Sequence, residues 1–178
     1  MADLRERRLW WRHLISFLVF PVTMTLVIPA LIVIPAGVPA RDVGAPLTIA
    51  LITVGAPLIA GGLTMLIWTV VLFDRLGEGT LGVGNVMGEP VRLVVRGPYR
   101  HVRNPMISGV LCILLGEAAV TGSGWLLGWF AIFLTFQLIG IRFWEEPHLI
   151  RRFGGQYLEY RRNVPRWIPR ISAWEPRV

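Results

Sequence analysis

Two adjacent carboxylates, Glu145 and Glu146, follow the end of an apolar run at Trp144. An arginine-rich segment, Arg100-His101-Val102-Arg103-Asn104-Pro105, opens the apolar hairpin that leads to them. Carboxylates at the mouth of a membrane segment are costly unless cations, donors or water meet them, so acids and arginines brought together across the hairpin would form a polar site at a membrane edge. The plainer alternative is a helix end that meets water. Arg142 stands three residues before Glu145, within one helical turn, and suits either an anionic substrate group or neutralisation of Glu145 or Glu146. His101 adjoins the arginines and can act as a base or hold a turn. His13, His101 and His148 are too dispersed for a zinc pattern, and the lone Cys112 lies in an apolar run as a small hydrophobe, so no metal is expected. Gly77-Glu78-Gly79-Thr80-Leu81-Gly82 has the spacing of a dinucleotide loop, but it follows an apolar run and not a strand, which makes the match accidental.

Four apolar runs must position these groups. Residues 14–34 contain no charge and reach roughly 31 Å at about 1.5 Å per residue, enough to span the hydrocarbon core, with bends expected at Pro21 and Pro29. This run is too long for a signal-peptide core and lacks a small-residue cleavage site, so it is read as retained. Residues 46–73 form a second span with Pro57 and Gly61-Gly62 inside it. A long, charged, Gly-rich loop follows to Asn104, the kind of segment in which function concentrates. Residues 105–120 and 125–143 then make a helical hairpin around Thr121-Gly122-Ser123-Gly124. Counting outward from that turn places Gln137 opposite Ser108, as an interhelical hydrogen bond, and Glu117 opposite Gly128, snorkelling to headgroups. From Glu145 onward a basic amphipathic helix is expected to about Tyr160, broken near Gly154-Gly155, and then an irregular tail.

Composition agrees with one membrane unit: 178 residues, 54% hydrophobic and 16% charged. All 18 basic residues are arginine and the formal net charge is +7. In a soluble chain that would suggest nucleic acid. Here no basic-aromatic nucleic-acid module is present, and basic loops beside spans face anionic headgroups, so no nucleic-acid partner is expected. Four arginines precede the first run, five lie in the central loop and eight at or after Arg142, leaving Arg41 alone on the other side. This asymmetry predicts cytoplasmic termini, and Trp10, Trp11, Trp125, Trp144 and Trp167 fall near the ends of runs as interfacial tryptophans do.

Gly97-Pro98-Tyr99-Arg100-His101-Val102-Arg103-Asn104-Pro105, the pair Glu145-Glu146 and the stretch Phe153 to Pro165 together resemble the isoprenylcysteine carboxyl methyltransferase and phospholipid methyltransferase superfamily of integral membrane enzymes. The resemblance covers approximately Gly77 to Arg170. It implies an all-α membrane protein of about four transmembrane helices, forming a single domain over 1–178 with a cytoplasmic C-terminal cofactor pocket. It also implies methyl transfer from S-adenosylmethionine, with S-adenosylhomocysteine as product, to a lipophilic or membrane-partitioned acceptor: a lipidated or small-molecule carboxylate, amine or thiol.

In the superfamily an Arg-His-Pro-x-Tyr element and a Glu-Glu pair build the cofactor pocket; here Asn104 stands for the His and Ile107 for the Tyr. Carried across residue by residue, the resemblance assigns cofactor contacts to Leu93, Val94, Tyr99, Arg100, Arg103, Asn104, Pro105, Met106, Glu145 and Glu146. Glu145 would meet the ammonium or ribose hydroxyls, and either Arg100 or Arg103 the carboxylate. Arg142 and His101 are the candidate catalytic residues, the first orienting an anionic acceptor and the second removing a proton. The family's Gly-x-Gly-Thr-Pro element is kept at Gly77, Gly79 and Thr80, with Leu81 in place of Pro. Two rival classes remain open, a membrane reductase using NADPH and a non-enzymatic lipid-binding protein. Oligomeric state is not legible.

Overall fold

A computed structural model of the chain describes residues 19–36, 44–76 and 93–175, and every regular element among them is helical. Helix α1, residues 19–22, runs through a π-helical turn at Thr23–Val27 into α2, Ile28–Ala36. The long α3 occupies Ala45–Leu76, a short 3-10 turn Gly97–Arg100, α4 Pro105–Thr121 and α5 Gly124–Gly140. A second π-helical turn, Ile141–Glu145, joins α5 to α6 at Glu146–Phe153, and α7 covers Gly155–Asn163. The break at Gly154 and the irregular segment after α7 fall where the sequence places them. The N-terminal arginines, Arg41 and the Gly77–Thr80 element lie outside the described residues.

Both π turns have the same local cause. Each ends two residues before a proline, Pro29 in one case and Pro147 in the other. Proline has no N–H, and its ring crowds the carbonyl four residues back, so the α ladder cannot pass through unchanged; an extra residue in the turn relieves the clash. The backbone N–H of Ile28 accordingly donates to Thr23 O and that of Glu146 to Ile141 O, five residues back. The hairpin turn is simpler. Gly122 caps α4 in the left-handed region at φ 66°, and Ser123 caps α5 by accepting a hydrogen bond from the N–H of Leu126.

Two helical stretches, Ala45–Leu72 and Gly124–Phe153, are long and apolar enough to cross a membrane, while Val19–Pro35 and Pro105–Thr121 are apolar but shorter. Only 11% of the first stretch's apolar window and 22% of the second's is buried, the inverse of a soluble core helix. Large apolar side chains such as Leu31, Ile34, Ile49, Ile67, Ile132 and Phe136 are exposed instead, as suits contact with lipid. On these outer faces the threonines hide their polarity: Thr48, Thr53 and Thr64 each donate to the carbonyl four residues back.

Between lipid-facing helices apolar burial gives little net drive, so association depends on close approach. Antiparallel α3 and α4 supply it with two facing glycine pairs, Gly55 with Gly116 and Gly62 with Gly109. A Cβ built on Gly62 would lie 2.5 Å from Gly109 O, and one on Gly116 2.7 Å from Gly55 O. The other side of α4 turns Ile107, Val110, Leu111 and Leu114 toward Trp129, Phe130, Phe133 and Leu134 of α5. Ser108 lies about 100° round the helix from Ile107, and its buried hydroxyl has no hydrogen-bond partner. The expected Gln137–Ser108 bond is therefore not made, although Gln137 is buried. Glu117, near the turn, is half-buried and keeps one carboxylate oxygen enclosed without a partner.

Candidate functional site

The segment before the 3-10 turn is extended, and its side chains alternate. Leu93 and Val95 pack against Tyr157, Tyr160 and Val164, while Val94 packs against Tyr99 beside Val70, Leu72 and Met106. Gly97 then turns the chain with φ 53°, close against α3: a Cβ there would meet Leu72 Cδ2 at 3.3 Å and Trp68 Nε1 at 3.5 Å. Glycine suits both the dihedral and the gap. The turn buries Tyr99, whose carbonyl accepts a hydrogen bond from the Tyr160 hydroxyl at 2.7 Å. Burial, then the Tyr160 and Glu145 groups, hold the Tyr99 phenol well above its ordinary pKa. It remains a protonated donor across the physiological range. Pro105, fully buried, starts α4 at a position where its missing N–H costs nothing.

The tandem acids have different fates. Glu146 is buried, its side chain 6% exposed, and its Oε1 receives Arg103 Nη1 at 2.7 Å, Arg166 Nη2 at 2.7 Å and Arg166 Nε at 3.0 Å. Arg161 Nη1 stands 3.8 Å from its Oε2. Three arginines thus neutralise one carboxylate, which ties α6 to the element before α4 and to the segment after α7. Arg103 Nη1 also reaches the Tyr157 hydroxyl at 3.4 Å, and the Arg103 side chain is only 10% exposed. Its Nε is buried and finds no acceptor.

Glu145 is half-buried and makes no hydrogen bond or ion pair with the described residues. It lies in the electrostatic reach of both Tyr99 and Arg103. One acid thus enters the arginine cluster, and its neighbour is without a partner among the described residues.

The segment after α7 runs across the turn and fastens it. Arg103 N donates to Pro165 O at 2.9 Å, Asn104 Nδ2 to Arg166 O at 3.4 Å, Arg170 N to His101 O at 3.0 Å and Trp174 N to Arg100 O at 3.0 Å. Arg100 returns the contact through Nε to Trp174 O at 3.0 Å and through Nη2 to Glu175. Of the two arginines open to a ligand carboxylate by sequence, Arg100 is therefore engaged by this segment and Arg103 keeps a free donor. His101 Nδ1 lies 2.8 Å from Arg170 O; the tautomer protonated on Nδ1 donates there and leaves Nε2 as an acceptor. Beside these contacts a shallow, open depression is lined by Val95, Arg96, Gly97, Arg100 and Glu175.

Of the residues expected at the site, Val94 and Met106 pack with Tyr99, Arg103 meets Glu146, and Glu145 lies within electrostatic reach of Tyr99 and Arg103, while Leu93 faces the other way, toward Tyr157 and Tyr160. Glu146 and Asn104 are bound to protein partners, not open to a ligand. Arg142 is exposed on the π turn and pairs with neither acid: the arginines that meet Glu146 come from 103, 161 and 166. Sequence reasoning missed Tyr157, Tyr160, Arg161 and Arg166. Tyr157 and Tyr160, three apart on a basic helix, were legible as one buried face. Arg166, one of many arginines in an irregular segment, carried no local signal.

A model of the phospholipid methyltransferase family matches residues 50–156. The chain is 41% identical over 76 residues to methanethiol S-methyltransferase 2 of Bradyrhizobium diazoefficiens, a match covering 42% of this chain and 28% of that protein. It is 36% identical over 85 residues to protein-S-isoprenylcysteine O-methyltransferase of Schizosaccharomyces pombe, covering 44% of this chain and 34% of that one. The matches span about a third of either relative's length. No solved structure matches the chain.

Proposed function

The chain belongs to the phospholipid methyltransferase family, and we propose that it transfers a methyl group from S-adenosylmethionine to a lipophilic or membrane-partitioned acceptor. The observation that carries this reading is a half-buried carboxylate and a buried guanidinium N–H, both near Tyr99 and both without a hydrogen-bond partner among the described residues. Glu145 makes no ion pair with those residues, and Arg103, paired with Glu146 through Nη1, has no acceptor for its Nε. An amino-acid zwitterion supplies both missing partners, its ammonium for Glu145 and its carboxylate for Arg103, so the residues present fit the methionine end of this cofactor. The extended backbone at 93–96 and the neighbouring depression suit its nucleoside end. When bound, the cofactor supplies an electrophilic sulfonium methyl for direct displacement.

The protein's contribution is then mainly alignment. Glu145 and Arg103 fix one end, the buried Tyr99 packs beside them, and an apolar edge admits the acceptor, so proximity and orientation lower the barrier. The names of the two relatives share methyl transfer and differ in the accepting atom, sulfur in one and oxygen in the other. A carboxylate acceptor attacks as the anion and needs no base. For a thiol or amine acceptor, His101 Nε2 is the group able to take the proton. Thermal protection of the purified protein by S-adenosylhomocysteine, and none by NADPH, is the expected result. The opposite pattern would replace this reading with a reductase, and protection by neither would leave a lipid-binding protein.

Arg142, exposed and without a partner among the described residues, is assigned to the acceptor. Arg142→Ala is expected to raise acceptor KM or lower turnover while S-adenosylhomocysteine affinity stays within about threefold, roughly 0.7 kcal/mol. Arg142→Lys should rescue poorly if a planar carboxylate or phosphate is gripped by two donors. Collapse of cofactor affinity with acceptor KM unchanged would move Arg142 into the cofactor's surroundings.

The arginine asymmetry supports the reading that both termini and the site lie on the cytoplasmic side of a four-span protein. A cysteine at Asp42 should react with an impermeant reagent on intact cells, and one at Ala173 should not. The reverse pattern would invert the orientation, and labelling at both would require an odd number of spans.

A further inference from the structure

We infer that the segment around Arg170 is a membrane-surface anchor: Ile168 and Ile171 enter the headgroup region of the bilayer, and the Arg170 guanidinium meets the phosphate of an anionic phospholipid there. Ile171 is fully exposed and Ile168 is 80% exposed. Single exposed apolar side chains are ordinary. These two differ in being carried by a backbone that is fixed around them. Arg170 N donates to His101 O, His101 Nδ1 meets Arg170 O, and Trp174 N donates to Arg100 O. On the other flank Arg103 N holds Pro165 O. Turning the isoleucines inward would break these bonds.

The helices beside the segment point to what covers it. Asn104 Nδ2 donates to Arg166 O at the start of α4. The next side chain, Trp167, packs on the Val110, Leu111, Leu114 and Phe133 cluster of α4 and α5. The chain therefore touches the apolar body of the bundle one residue before Ile168. At this same end, which the Glu146–Arg103 pair ties together, Phe143 and Trp144 are exposed after α5. Apolar side chains at this level meet the interfacial zone of a bilayer. Helix α6 does not take the role, because its Leu149, Ile150 and Phe153 are turned onto Tyr157, Tyr160 and Val164.

Arg170 selects the lipid. Its Nη1 donates to Asn163 O at 2.8 Å and its Nη2 to Ser172 Oγ at 3.2 Å, both neutral groups. No acid among the described residues pairs with it. A cation between two exposed isoleucines fits an anionic, phosphate-bearing surface.

The test uses the full-length protein, one copy per lipid nanodisc, in a Cys112→Ala background. A single cysteine at Ile168, at Ile171 or, as control, at exposed Glu159 of α7 carries an environment-sensitive fluorophore. Lipids with a nitroxide on the upper acyl chain should quench the labels at 168 and 171 and spare the one at 159. Adding phosphatidylglycerol to phosphatidylcholine discs should raise the inserted-to-free ratio about fivefold, the effect of one arginine near an anionic surface. Arg170→Gln should remove that dependence on lipid charge, since the backbone bonds of residue 170 stay in place. Equal quenching at all three positions, or a ratio that phosphatidylglycerol leaves unmoved, overturns the inference. A label shielded only when discs hold two copies puts a second chain on the isoleucines and overturns it too. If the Cys112→Ala background does not fold, hydrogen exchange of the unmodified protein decides. The amides within 168–172 should exchange about fivefold more slowly in the anionic discs, and equal exchange overturns the inference.

Discussion

Glu146→Ala is expected to cost about 3–5 kcal/mol of folding stability, because it leaves Arg103 and Arg166 facing one another with their shared acceptor gone. Both Glu146 and Arg103 are shielded from solvent, so water cannot compensate as it would at a surface pair. Glu145→Gln, one residue away, is expected to leave stability within about 0.5 kcal/mol and to weaken S-adenosylhomocysteine binding by about 1.5–3 kcal/mol, the scale of a charged hydrogen bond. Thermal melts in detergent measure the first effect and calorimetry the second. Wild-type melting of the Glu146 variant would show that the arginine cluster holds nothing together, and unchanged affinity in the Glu145 variant would take that residue out of the site.

A second pair of neighbours should part just as sharply. Gly62→Ala places a Cβ 2.5 Å from Gly109 O and 2.7 Å from Ile113 Cγ1, so α3 and α4 must separate, at a cost of about 1–3 kcal/mol. Gly61→Ala meets nothing within 4 Å and replaces a poor helix former, for a gain of up to about 1 kcal/mol. The difference between the two melting midpoints is the measurement. If the variants melt together, the helices do not approach through that face.

The helices and the hairpin turn were legible because unbroken apolar runs, Gly122 and Ser123 report local structure directly. The meeting of the arginine-rich segment with the acid pair was legible from residue types and spacing, and the part of Tyr99 in it only through resemblance. One failure of sequence reasoning is the neglect of rotation about a helix axis. Counting from the hairpin turn paired Gln137 with Ser108 by height, yet the face of α4 that meets α5 begins at Ile107. The arginine cluster was hidden for a different reason: Arg103, Arg161 and Arg166 gather on Glu146 from distant parts of the chain, and nothing local distinguishes Arg166 from the other arginines of its segment.

The π turn before Pro147 also bears on how such a doublet of acids can be inherited. In an uninterrupted α-helix, adjacent carboxylates would diverge by a fixed angle, and a change in one would be hard to compensate through the other. Here Glu146 is held by arginines of the scaffold, while Glu145, on the proposed reading, is left to a ligand. On that reading, selection on stability and selection on binding act on separate letters of what reads as a single motif.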